Sequence, residues 1–240
     1  MSGHSKWSTI KRKKGLIDAE RGKIFQKLAK EIYVAAKGGD PNPESNPSLR
    51  MVVDKAKAQN MPKDKIWAAI DKASKSAGGE DYEFIRYEGY ASGGVAIMVD
   101  CLTDNRNRTA AQVRSTFTKR GGNLGTDGSV SYMFEKKGII VIDKKYDEDL
   151  VMTVALDNDA LDFVSNDDSY EIITTEGDFT KMNKALEENN ITDISMNEVR
   201  FVPSNYISLD EDKKEKVLGL IDALEDLDDV SDVYHNLELE

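Results

Sequence analysis

Six short segments decide the fold: Ile139-Ile-Val-Ile142, Leu150-Val-Met-Thr-Val-Ala155, Leu161-Asp-Phe-Val164, Tyr170-Glu-Ile-Ile-Thr174, Asp178-Phe-Thr-Lys-Met182 and Ile194-Ser-Met-Asn-Glu-Val-Arg-Phe201. The first, third, fourth and sixth are β-branched or alternating runs of strand length. The second and fifth place apolar residues (Leu150, Val151, Val154 and Ala155; Phe179, Met182 and Leu186) at helical spacing, the latter behind Asp178 as a cap. The order is β-α-β-β-α-β, the split unit of a ferredoxin-like fold, which Pro203 closes.

Upstream, residues 84–89 and 95–102 alternate as strands around Ala91-Ser-Gly-Gly94 and predict a hairpin. Asn105 caps a helix with Ala110, Val113 and Phe117 inward, which stops at Gly121-Gly122, and residues 130–134 read as the next strand. Lys136-Lys-Gly138 reads as the turn into the ferredoxin-like unit. This β-β-α-β series is incomplete. Downstream, a helix with Val217, Leu218, Ile221 and Leu224 inward and a strand over 230–239 form no domain alone, yet they supply the missing helix and strand. A discontinuous middle domain, 80–134 plus 206–240, with the unit 135–205 inserted, is therefore expected.

The first 79 residues read differently. A stretch over 3–17 lacks apolar periodicity and predicts a mobile arm. A helix is expected from Asp18 to Lys37, with Ile24, Phe25, Leu28, Ile32 and Ala35 on one face, Lys23, Lys27, Lys30 and Lys37 on the other, and Gly38-Gly39 as its stop. Asn46-Pro47 and Met61-Pro62 open two more helices, with stripes Leu49, Val52, Val53, Ala56 and Ile66, Ile70, Ala73. The fold class is α+β in three domains: a three-helix N-terminal domain, then two α/β domains, the last inserted into the middle one.

Composition bounds the function. The 240 residues, 39% hydrophobic and 32% charged, are those of a globular chain with more than one core. No apolar run is long enough to span a bilayer, and the N-terminus carries charge where a signal peptide needs apolar residues, which points to the cytosol. One cysteine, Cys101, and two histidines leave no internal disulfide and no Cys/His zinc site. No carboxylate pair is tied by spacing to a base, a nucleophile or a third ligand, so neither an enzyme, a cofactor nor a metal is expected.

The net charge of -11 is unevenly spread. Residues 1–75 hold 17 Lys/Arg against 8 Asp/Glu, and the rest holds 16 against 36. One end attracts a polyanion and the remainder repels it, so nucleic acid is the expected partner. Lys11-Arg-Lys-Lys14 and the ridge of Lys23, Lys27 and Lys30 are the candidate phosphate contacts, against a plainer reading as a solvated face behind a tail. Trp7, set among cations, either stacks on a base or docks the arm. His4 has no positioned partner that would make it catalytic. Asp104-Asn-Arg-Asn-Arg-Thr109 lies between strand and helix; Arg106 and Arg108 hold a phosphate there or pair with neighbouring acids. Gly121-Gly-Asn-Leu-Gly-Thr-Asp-Gly-Ser129 lacks a P-loop ending and reads as turn chemistry. Glu225-Asp-Leu-Asp-Asp229 reads as a solvated helix end, with a metal cluster or a decoy for basic partners as alternatives.

Gly-His-Ser-Lys-Trp7, Arg-Gly-Lys-Ile-Phe25, Asn-Pro-Ser-Leu-Arg50, Tyr-Glu-Gly-Tyr90, Asp-Asn-Arg-Asn-Arg-Thr109 and the glycine-rich 121–129 string closely resemble the YebC/PmpR family along essentially the whole chain. The resemblance implies three domains around a central cleft and a cytoplasmic DNA-binding transcriptional regulator without catalytic residues. It equally implies a second possibility, a translation factor bound to RNA or the ribosome, as for the mitochondrial relative that activates translation of a cytochrome oxidase subunit. Binding residues carry over onto His4, Lys6, Trp7, Lys11, Arg12, Lys13, Lys14, Arg21, Lys23 and Lys27, with Arg106 and Arg108 beside them.

Overall fold

The computed structural model describes residues 6–75 and 81–239, with side chains from residue 21 onward. Three helices open the chain: α1 (Lys6–Lys37), α2 (Pro47–Ala58) and α3 (Lys63–Lys75). The helix α1 starts at Lys6, not near Asp18, so the arm expected over 3–17 is helical from Lys6 onward. No proline interrupts residues 1–40, and Lys and Arg favour helix almost as well as Leu, so missing apolar periodicity means no buried stripe, not no helix.

Leu28, Ile32, Tyr33 and Ala36 of α1 pack with Leu49, Val53 and Ala56 of α2 and with Ile66, Ala69, Ile70 and Ala73 of α3. The buried Asn46 ties the first two helices together. Its carboxamide oxygen accepts from the Leu49 N–H (3.0 Å), capping α2, while its nitrogen donates to the carbonyls of Ala35 and Asp40 (2.9 Å each).

Next come β1 (Glu83–Tyr90), β2 (Ala96–Thr103), α4 (Arg106–Lys119) and a two-residue β3 (Asn123–Leu124). The expected strand over 130–134 is absent. Residues 131–133 form a 3-10 turn, and Phe134 instead opens β4 (Phe134–Asp143). The cause is Glu88, whose carboxylate accepts from the backbone N–H groups of Gly128, Val130 and Ser131 at 2.7–2.9 Å, taking the donors a strand would use. The turn expected at 136–138 is likewise strand. Gly138 is needed there because a Cβ would collide with Thr174 and Phe179.

The ferredoxin-like series then runs β4, α5 (Glu148–Asp157), β5 (Asp162–Ser165), β6 (Ser169–Thr175), α6 (Phe179–Glu188) and β7 (Ile194–Pro203). Its antiparallel sheet has the order β5-β6-β4-β7. Ile140, Ile142, Tyr170 and Ile172 on one face pack under Val151, Val154, Phe179, Met182 and Leu186 of the two helices. Finally α7 (Glu211–Glu225) and β8 (Val230–His235) return to the first sheet, whose order is β3-β1-β2-β8. That sheet is built from segments on both sides of the ferredoxin-like unit. Phe117 and Val113 of α4 and Leu220, Ile221 and Leu224 of α7 cover one face. On the other face, Ala96, Met98 and Tyr234 meet Val130 and Phe134, with Phe201 at the margin, joining the two sheets.

Candidate nucleic-acid interface

Lys23, Lys27 and Lys30 of α1 each meet a later part of the chain, although Lys23 stays half exposed. Lys23 Nζ lies 3.1 Å from Asp226 Oδ1, Lys27 Nζ donates to the Glu225 carbonyl at 2.5 Å, and Lys30 Nζ donates to the Asp228 carbonyl at 3.0 Å and to Asp229 Oδ1 at 3.3 Å. The acceptors are the C-terminal end of α7 and its link to β8. A helix leaves its last carbonyls without intrahelical partners, and cations are favoured at that end. The run 225–229, expected from sequence as a solvated helix end, keeps Asp226 and Asp228 exposed, and it is also the seat of the ridge.

Asp229 is the centre of this seat. Its carboxylate also receives Arg108 through Nη2 at 2.7 Å and Nε at 3.1 Å, Thr109 Oγ1 at 2.9 Å and Thr103 Oγ1 at 3.3 Å. Burial opposes its charge, but the hydrogen bonds from Arg108 and Thr109 and the nearby charge of Lys30 outweigh it, holding the carboxyl below its ordinary range. Arg108 pairs in addition with Asp104 at 2.7 Å, and Asn105 caps α4 by accepting from the Arg108 N–H at 3.0 Å. Arg106 is more exposed and lies 3.6 Å from Glu83. Both arginines of the Asp-Asn-Arg-Asn-Arg-Thr motif thus stand beside acids in this structure.

A second ionic cluster, between α1, α2, β7 and β8, has no counterpart in the sequence reading. Lys55 Nζ lies 3.0 Å from Asp232 Oδ2, 3.1 Å from Glu31 Oε2 and 3.9 Å from Glu198 Oε2, and Arg200 closes on Glu198 at 3.0 Å. Burial and the neighbouring carboxylates push the Glu31 carboxyl up to about 7, although Lys55 pulls it down. Burial also opposes the charge of Lys55, but the carboxylates prevail and its pKa rises well above the ordinary lysine value. One signal is present in the sequence: Glu31 falls three residues after Leu28 and four before Ala35, on the edge of the apolar stripe, where a carboxylate needs a partner. The cluster itself lines a cleft of about 490 Å³ between α1, α2, β7 and the α7–β8 link, with Arg21, Lys57 and Asn60 also in its lining.

The remaining candidates are Lys6, Trp7, Lys11, Arg12, Lys13 and Lys14, which lie along the first part of α1, and His4, which lies outside the described residues. The glycine-rich segment 121–129 is organised by Glu88, with Gly121 and Gly128 at φ of 75° and 80°, as turn chemistry requires. Among the described residues, no helix is long and apolar enough to cross a membrane.

Comparison with known proteins fits this architecture. Residues 5–76 match the TACO1/YebC protein N-terminal domain, and residues 82–237 match the TACO1/YebC second and third domain. The chain belongs to the TACO1/YebC family. Within it, the chain is 53% identical to a probable transcriptional regulatory protein of Geobacillus thermodenitrificans, over 99% of this chain and 97% of the relative. It is 50% identical to a probable transcriptional regulatory protein of Pelotomaculum thermopropionicum, over the full length of both. The crystal structure of the conserved hypothetical protein Aq1575 from Aquifex aeolicus superposes with a TM-score of 0.83 at 42% identity, covering 93% of each chain. The Aquifex protein thus shares this α+β arrangement of a helical N-terminal region followed by two sheet-containing units.

Proposed function

We propose that this TACO1/YebC protein is a non-catalytic, cytoplasmic, DNA-binding transcriptional regulator that docks through its basic N-terminal unit. The reading divides the chain into a docking unit, 1–79, a discontinuous middle unit, 80–134 plus 206–240, and an inserted unit, 135–205. One observation carries it: the helix α1 brings Lys6, Lys11, Arg12, Lys13, Lys14 and Arg21 onto a single continuous rod in a chain whose remaining two thirds is strongly acidic. From Lys6 to Arg21 that rod is about 24 Å long, enough to follow several consecutive phosphates. The acidic units would repel DNA from every other side, so docking is directional.

The basic helix α1 offers lysines and arginines without an asparagine, rather than the cluster of Asn, Gln and Arg suited to base edges, so the affinity should be dominated by phosphate. The test is duplex binding measured against salt. Reversing the charges of Lys11, Arg12, Lys13 and Lys14 together should weaken binding to all sequences alike and flatten the log–log salt slope by about 0.9 for each phosphate that the protein no longer neutralises. A slope unchanged from the wild type would remove the N-terminal helix as the docking element.

A further inference from the structure

The lysines at 23, 27 and 30 are spaced i, i+4 and i+7, and all three are held by residues about 200 positions later in the chain. Their acceptors are anionic or carbonyl oxygens: Asp226 and Asp229 carboxylates and the main-chain oxygens of Glu225 and Asp228. A phosphate backbone offers the same chemistry to the same ammonium groups. We propose that the acidic link between α7 and β8 is a built-in competitor for nucleic acid, masking this face of α1 until duplex DNA displaces it. This rests on the nucleic-acid reading above and adds its regulation.

The contact is graded in a way that suits displacement. At its outer end the Lys23 and Asp226 side chains are 50% and 58% exposed, the setting in which ion pairs are weak and salt-sensitive. At its inner end Lys30 reaches the buried Asp229, which Arg108 and Thr109 hold in place. The link is thus fixed from behind by the middle unit and offered to α1 at its front. DNA approaching along α1 would meet the exposed Lys23 pair first, then Lys27, then Lys30. Arg21, Lys23 and Lys27 also line the cleft beside this contact, together with Glu31, Glu225, Asp226 and Asp232, so freeing the ridge would open its ammonium groups to an anion from that side.

The experiment uses the full chain and a fluorescent 20-base-pair duplex, with a single-stranded RNA of equal length as a second probe. Asp226→Asn combined with Asp228→Asn, which removes the exposed Lys23 pair and one further negative charge on the link while leaving the Asp228 carbonyl in place, should tighten duplex binding by about fivefold at low salt, the size of one exposed ion pair. Glu187→Gln with Glu188→Gln on α6, which removes equal charge elsewhere, should change it much less. In parallel, a zero-length carbodiimide cross-link between Lys23 and Asp226, read by peptide mass spectrometry in the wild type, should disappear as the duplex saturates. Duplex binding with an undiminished cross-link, or an equal gain from the α6 control, would overturn the masking while leaving the nucleic-acid reading intact. Binding by the Asp226/Asp228 variant alone would support masking strongly. Displacement by RNA but not by duplex would overturn the proposal as stated for DNA. If neither protein binds either probe, both the masking and the reading beneath it fail.

Discussion

Replacing Asp229 should loosen the junction between the helical unit and the first sheet, by an amount that follows from its partners. Asp229→Ala removes the acceptor for Thr109 at 2.9 Å and Thr103 at 3.3 Å, and the counter-charge for Arg108 at 2.7 Å and Lys30 at 3.3 Å. Neither threonine is left wholly unsatisfied, because Thr109 Oγ1 also reaches the Asn105 carbonyl and each hydroxyl lies 2.8 Å from the other. The two hydroxyl bonds therefore contribute about 1 kcal/mol each. Arg108 is 43% exposed and keeps Asp104, and Lys30 keeps the Asp228 carbonyl, so the charge contribution is screened to about 1 kcal/mol. The expected loss is about 3 kcal/mol, and about half of that for Asp229→Asn, which retains an acceptor oxygen.

Urea unfolding followed by far-ultraviolet circular dichroism measures it. The pH dependence supplies a second check. The folded carboxyl is held below its unfolded value near 3.9, so its charge stabilises the fold above that value and the benefit is lost as pH falls through the folded pKa. The deficit of Asp229→Asn should therefore shrink below about pH 4. A loss under 1 kcal/mol for the alanine variant at pH 7, or an asparagine deficit that acid leaves unchanged, would refute the assignment of Asp229 as the centre of the junction.

Glu31 should give the opposite pH signature. Burial pushes its carboxyl, which faces Lys55, Asp232 and Glu198, up to about 7 in the fold, so the folded chain holds a proton that the unfolded chain releases, and stability falls as pH rises from 4.5 to about 7. The contribution is about 2 kcal/mol once sharing of the proton within the cluster is allowed for, and Glu31→Gln should abolish that fall in thermal-unfolding scans across the range; an unaltered slope would contradict it. Asn46→Ala should destabilise the helical unit by about 2 kcal/mol, since it removes a helix cap, a bond to the last turn of α1 at Ala35 and a bond to the following loop at Asp40, whereas Asn46→Asp, which restores only the cap, should recover part of the loss in the same urea assay.

Much of this fold can be read in the sequence because its elements carry one period each. The alternation in residues 170–174 and 194–201 and the stripe of Phe179, Met182 and Leu186 can belong to nothing but strand and helix, and the orphaned helix and strand after 206 point to the discontinuous sheet. The reading fails where the deciding partner is remote. Residues 130–134 alternate like a strand, yet Glu88, some forty positions earlier, withdraws their backbone donors. Gly138 reads as a turn because Phe179 and Thr174, which need its missing side chain, are distant in sequence. The lysine ridge falls on the correct face of α1, but helical phase says only that a side chain points away from its own core. What it points toward, here the end of α7, is a tertiary fact. Lys55 gives no sign of its role for the same reason, its three carboxylates coming from three other elements.

Whether the basic N-terminal unit holds DNA can be decided in the cell. Cross-linking the full-length protein to nucleic acid in cells, then sequencing the bound nucleic acid and mapping the cross-linked peptides, tests it most directly. The expected result is duplex DNA enriched at promoters, with cross-linked peptides drawn from residues 6–30. Recovery of ribosomal RNA with little promoter DNA, or cross-links confined to the units beyond residue 80, would contradict it.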